Sequence, residues 1–120
     1  VRTMQNPKEI RKKQYFSMDP KHLVGGLVEK CVTHASGARL AIERKEFAQA
    51  NEHLKNAQDI LIQLQSLIPK DGDETSQQGR QVLGLLIREL FFCNINKDAG
   101  RLDEAINILN RLASVTRCDQ

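Results

Sequence analysis

The clearest pattern in the chain lies between Glu46 and Ile68, where apolar residues fall at Phe47, Ala50, Leu54, Ala57, Leu61, Leu64 and Ile68. The steps alternate between three and four residues, which holds all seven side chains on one face of an α-helix. Gln49, Glu52, Lys55, Gln58, Asp59 and Gln63 fill the other sides, and no Gly or Pro interrupts the run. A helix over this stretch would be roughly 33 Å long. So narrow a stripe is the seam expected of helices packed nearly antiparallel. Burying each Leu, Ile or Phe contributes roughly 1.5–3 kcal/mol, more than helix propensity supplies, so the element requires partner helices.

The chain supplies three. A first helix opens at Asp19-Pro20, an N-cap residue followed by a proline in the one helical position that needs no N–H. Its apolar face runs Leu23, Leu27, Cys31, Ala35, Ala38, Ile42, flanked by Val24 and Val28, with Gly25, Gly26 and Gly37 inside it. Glu43–Lys45 is a tight link into the central stripe. After Ile68, Pro69-Lys70-Asp71-Gly72-Asp73 reads as a loop, with Asp73, Thr75 or Ser76 as the next cap; Thr75 and Gln78 fit a capping box. The third helix, from about Ser76 to Asn96, carries an inward stripe of Val82, Leu83, Leu86, Ile87, Leu90 and Cys93. Leu85, Phe92 and Ile95 lie on the opposite side, with Phe91 between, and a helix apolar all round has to be covered on more than one face. Asp98-Ala99-Gly100 breaks the chain before a fourth helix with Leu102, Ala105, Ile106, Leu109, Leu112 and Ala113. The expected fold is all-α, an antiparallel up-down-up-down four-helix bundle over residues 17–117. Residues 1–16, without sustained periodicity, form a flexible, irregular N-terminal arm.

Composition sharpens this picture. Aromatic residues make up 4% of the 120 residues and Trp is absent, so the core is built from Leu, Ile, Val and Ala, which suits helices. Charge is divided unevenly. Residues 1–16 hold five basic side chains against Glu9 alone, a net of +4, and the other 104 residues hold 13 basic and 14 acidic ones, a net of −1. With no basic face on the body, nucleic acid is not an expected partner. No apolar run approaches the ~20 residues of a membrane span and no signal peptide is recognisable, so the expected location is the cytoplasm.

Candidate chemistry is sparse. Cys31, Cys93 and Cys118 form no C-x-x-C pair, and Cys31 and Cys93 fall on apolar stripes, as small buried thiols do. His22, His34 and His53 have none of the spacings of a zinc site and read as solvated surface imidazoles. His53-Leu54-Lys55-Asn56 lacks the glycine of a phosphotransfer histidine motif. Asp71-Gly72-Asp73-Glu74 lacks the later ligands of a calcium loop. No phosphate cradle or nucleophile elbow occurs, so the reading is of a protein that is not an enzyme and needs no metal or cofactor.

Several short segments, taken in order, resemble the FliS family of flagellar export chaperones. They are Ser17-Met18-Asp19-Pro20 ahead of a Leu-rich run, Ala57-Gln58-Asp59-Ile60, Arg88-Glu89-Leu90 leading to Cys93-Asn94-Ile95-Asn96-Lys97-Asp98, and Leu102-Asp103-Glu104. The similarity runs over roughly residues 6–117. It implies a cytosolic secretion chaperone, monomeric or weakly dimeric, that holds an exported flagellar subunit, foremost the flagellin C-terminal region, and prevents premature polymerisation. The client would bury apolar side chains in surface grooves. Leu85, Phe91, Phe92, Ile95 and Ile62 are the expected contacts on the bundle, and Ile10, Tyr15 and Phe16 those on the arm, which would also serve as a mobile cover. A helical-repeat-like adaptor is the alternative, since Gly100-Arg101-Leu102-Asp103-Glu104-Ala105-Ile106 is similar to half of a tetratricopeptide repeat. A self-associating bundle is another, with the apolar back of the third helix packing on a second copy.

Overall fold

The computed structural model describes residues 20–117, which form four helices: α1 (Pro20–Glu43), α2 (Phe47–Ser66), α3 (Glu74–Asn96) and α4 (Ala99–Arg117). No strand occurs among the described residues. The proposed arm, Ile10, Tyr15 and Phe16 included, lies outside them, as do His22's side chain and Cys118.

Each helix packs against its sequence neighbours, and α1 returns to pack on α4, closing the ring. Hydrogen bonds fix the antiparallel register of α2 and α3. Asn94 Nδ2 donates to Asn51 Oδ1 (2.8 Å), Gln58 Nε2 to the Ile87 carbonyl (3.3 Å) and Gln65 Nε2 to the Arg80 carbonyl (3.0 Å). Arg80 also closes the end of α2, its Nη1 donating to the Gln65 carbonyl, which also accepts from the Ile68 N–H, and to the Ile68 carbonyl just past the helix. The fully buried side chains Val28, Cys31, Leu54, Leu61, Leu90, Cys93, Leu102 and Leu109 come from all four helices.

The ends are set locally. At the α1–α2 link, Lys45 takes a left-handed conformation (φ 60°), so that the Glu46 N–H reaches the Ala41 carbonyl (2.8 Å) and the Lys45 N–H that of Ile42 (3.0 Å). This is a Schellman motif with lysine where glycine is the usual residue. Asp73 caps α3, its carboxylate accepting from the Ser76 N–H (2.9 Å). The Thr75–Gln78 capping box is therefore not formed, because the cap lies two residues earlier and both side chains are already inside the helix. Asp98 caps α4 in the same way through the Arg101 N–H (3.1 Å), after a second left-handed lysine, Lys97 (φ 51°). Gly100 thus sits in the first turn of α4 rather than in a break.

Four positions depart from the expected stripes. Phe47 is exposed because it opens α2 on the flank facing α3, and the pairing of Asn51 with Asn94 puts it past the last residue of α3. Ile60, which is not in the expected stripe, is buried. Ile68 lies beyond the end of α2, and Val82 is exposed.

Candidate functional site

Two apolar features stand out on the surface. The first is a cavity of about 330 Å³ at one end of the bundle, where α1 and α3 begin and α2 and α4 finish. Val24 and Val28 of α1, Leu64 of α2, Val82 and Leu83 of α3 and Leu112 of α4 line it, with Leu67, Ile68 and Gly79 completing the wall. No charged side chain is among them. Such a lining has no group for acid–base chemistry and is suited to apolar side chains.

The second is the outward side of α3. Leu85, Phe91, Phe92 and Ile95 are 61, 53, 47 and 62% exposed. Leu85 and Phe92 are seven residues apart and lie in one row along the helix. Phe92 is bounded on its α4 side by Arg101, whose guanidinium carbon lies 5.2 Å from the ring centre. Arg101 is held there by Glu89, with Nη2 donating to Oε2 at 3.1 Å and Nε to Oε1. Phe91 meets Phe92 edge to face at 6.4 Å, but it turns with Ile95 toward the α2 flank, so the four side chains are not one strip. Ile62 of α2 is half exposed and falls between Gln58 and Gln65, both of which reach across to α3. The cleft beside Gln65 is lined on the α3 side by Arg80, Gly84, Leu85 and Arg88. Val82, which lines the cavity and comes one turn before Leu85, joins the two features.

The end cavity was not anticipated from sequence. Its signals were the valines flanking the α1 stripe and the apolar pair Leu67-Ile68, which outlasts the helix that carries it.

The thiols and imidazoles resolve differently. Cys31 and Cys93 are fully buried. Burial pushes the Cys31 thiol up to about 12; burial, helped by Glu89, pushes Cys93 up to about 11. Both are held as inert thiols. His34 and His53 are not separate solvated rings: packing of α1 on α2 brings their Nδ1 atoms to 3.0 Å. Sequence spacing could not reveal this, since the two lie on different helices. Among the described residues, no group of three or more His, Cys, Asp or Glu side chains is placed to hold a metal ion, and no helix is long and apolar enough to cross a membrane.

No curated protein matches the chain significantly. The family described as flagellar protein FliS matches residues 3–115, a span that takes in all of α1, α2 and α3 and nearly all of α4. That match covers nearly the whole of a four-helix bundle with apolar surface, and the chain belongs to the FliS family of flagellar export chaperones.

Proposed function

We propose that this protein sequesters the C-terminal region of flagellin in the cytoplasm and keeps it from polymerising before export. The observation that carries this reading is the apolar face of α3, where four large side chains are about half exposed or more and adjoin the apolar end cavity through Val82. A client segment folding as an amphipathic helix would set one anchor into the cavity and lay others along Leu85 and Phe92, with Ile62, Phe91 and Ile95 as flanking contacts. The Glu89–Arg101 pair beside Phe92 gives the apolar row a polar border, as a binding patch has.

Residues 1–16 are proposed as a cover for the same surface in the client-free protein. They carry Ile10, Tyr15 and Phe16 and a net charge of +4 beside a body of −1. An arm closed 90% of the time would weaken apparent affinity about tenfold.

Titration calorimetry with a flagellin C-terminal peptide tests the reading. Saturable binding to the wild type, weakened by Phe92→Asp and tightened by removal of residues 1–16, is the expected result. Absence of binding, or binding unchanged by Phe92→Asp, would overturn the assignment of client and face. Weaker binding after removal of the arm would instead make the arm a direct contact. Light scattering on the free protein addresses self-association, since a stable dimer formed without client would favour a second copy as the occupant of this face.

A further inference from the structure

The contact between His34 of α1 and His53 of α2 has a geometry that limits its protonation. The nitrogens are 3.0 Å apart and the ring centres 5.3 Å apart. That separation equals the N···N distance plus one ring radius on either side, so the two Nδ1 atoms lie on the line joining the ring centres. Each nitrogen is aimed at the other, the arrangement of an N–H···N hydrogen bond. A metal ion between them would be far inside bonding distance of both. One ring donates through Nδ1–H; the other accepts at Nδ1 and carries its own proton on Nε2.

Gly37 leaves room for the pair: a Cβ there would come within 2.9 Å of His53 Nε2, so the ring rests against the α1 backbone one turn from His34. His34 opens on its other side to a groove whose charged groups are Lys30 of α1 and Asp59 of α2, with Asn56 and Gln63 uncharged. The other polar link between α1 and α2 among the described residues is the bond from the Cys31 thiol to the Ala57 carbonyl, at 3.5 Å.

We propose that His34 and His53 form a proton-operated clasp between α1 and α2, closed while the two facing nitrogens share one proton and opened when both carry one. The neutral pair and the singly charged pair both keep the hydrogen bond. Adding a second charge leaves two N–H groups facing each other with no acceptor, and two positive rings in contact. Burial, the His53 ring and Lys30 all press in the same direction, lowering the proton affinity of His34 below that of an ordinary histidine. Asp59 is the one opposing charge in the groove.

The sign follows from linkage. Where the folded protein holds its protons less tightly than the unfolded chain, stability is complete above the unfolded histidine range. It is then lost as pH falls through that range, because the unfolded chain takes up the extra proton. The carboxylates with lowered proton affinity, Asp73 and Asp103, titrate at more acidic pH and do not enter this window.

Two measurements decide it. In ¹⁵N-histidine NMR of the whole chain at pH 7.5, one of the two rings should carry its proton on Nδ1 and the other on Nε2. Titration of the pair should proceed in two separated steps, a separation that His34→Gln should remove. In urea unfolding, acidification from pH 7.5 to 5.5 should raise the unfolding equilibrium constant of the wild type by a factor of about 3 to 10 more than that of His34→Gln, which removes the titrating ring from the exposed side of the pair. Two rings that titrate independently, or parallel pH profiles for wild type and variant, would overturn the clasp. The NMR arm uses the unaltered chain and stands even if a substitution impairs folding.

Discussion

The α1–α2 and α3–α4 seams are built from different residues and behave as opposites. Along α1–α2 most of the facing positions are small: Cys31, Ala35, Ala38 and Ala41 meet Ala50 and Ala57, with Leu54 between these two, all at 4% exposure or less. Side chains this short let the helix backbones close on each other, to the point where Gly37 takes an imidazole ring against its Cα. These two helices have the most extensive packing in the bundle. At α3–α4, Leu83, Leu86 and Leu90 face Leu102, Leu109 and Leu112, the helices meet least, and an ion pair between Glu89 and Arg101 bridges the surface above them. Small residues spend a seam on mutual burial; large ones hold helices apart and leave apolar surface for something else. Close packing and exposed apolar surface are thus sited on different seams of one bundle.

The contrast can be broken most severely at the centre. Leu61→Ala removes a fully buried side chain of α2, and transfer and cavity terms together should cost ~2–5 kcal/mol, read as a lowered urea midpoint with unchanged slope. An unchanged midpoint would mean that the stripe through Leu54, Leu61 and Leu64 does not carry the bundle. On the binding side, Phe92→Asp should lose more than ~2 kcal/mol of client affinity while melting stays near the wild-type value. Should melting fall sharply with binding intact, the exposed face of α3 is structural. Gly37→Ala then tests the closeness of α1 and α2: the new methyl strikes the His53 ring and should destabilise by about 1–3 kcal/mol. Gly26→Ala, in the same helix, is the smallest effect and has the opposite sign. A Cβ at Gly26 meets nothing within 4 Å, so the change should stabilise by about 0.5–1 kcal/mol through helix propensity. A pair of glycine-to-alanine changes moving in the same direction would show that the two sites do not differ as their surroundings indicate.

Much of the bundle was legible because its periodic signals are local. The spacing of Ala50, Leu54, Ala57, Leu61 and Leu64 determines a buried face whatever it packs on, and Asp73 marks a helix start from its own chemistry. The excess apolar residues of α3 were equally visible, because a helix cannot bury two opposite faces against the same neighbours. What was hidden depends on register between helices. Phe47 satisfies the stripe but overshoots the end of α3, and this requires knowing that Asn51 pairs with Asn94. The end cavity assembles from four helix termini, and neither the flanking valines of α1 nor the Leu67-Ile68 pair shows by itself what it borders. His34 and His53, nineteen residues apart, become neighbours only once α1 and α2 lie antiparallel. Gly37, read in isolation, is a weak point in a helix; beside His53 it is a requirement.

The two buried cysteines turn the contrast between seams into something a reagent can time. Cys31 lies where α1 meets α2 and Cys93 where α3 approaches α4, and each thiol is fully screened and reluctant to ionise. A thiol-specific label can therefore react only while the helices around it are parted, and the rate at each cysteine reports the opening of its own seam. In a Cys118→Ser background the protein carries one internal clock per seam. If the tightly packed Ala-lined side is the more durable, Cys93 is modified first, and a bound client slows it while leaving Cys31 on its own schedule.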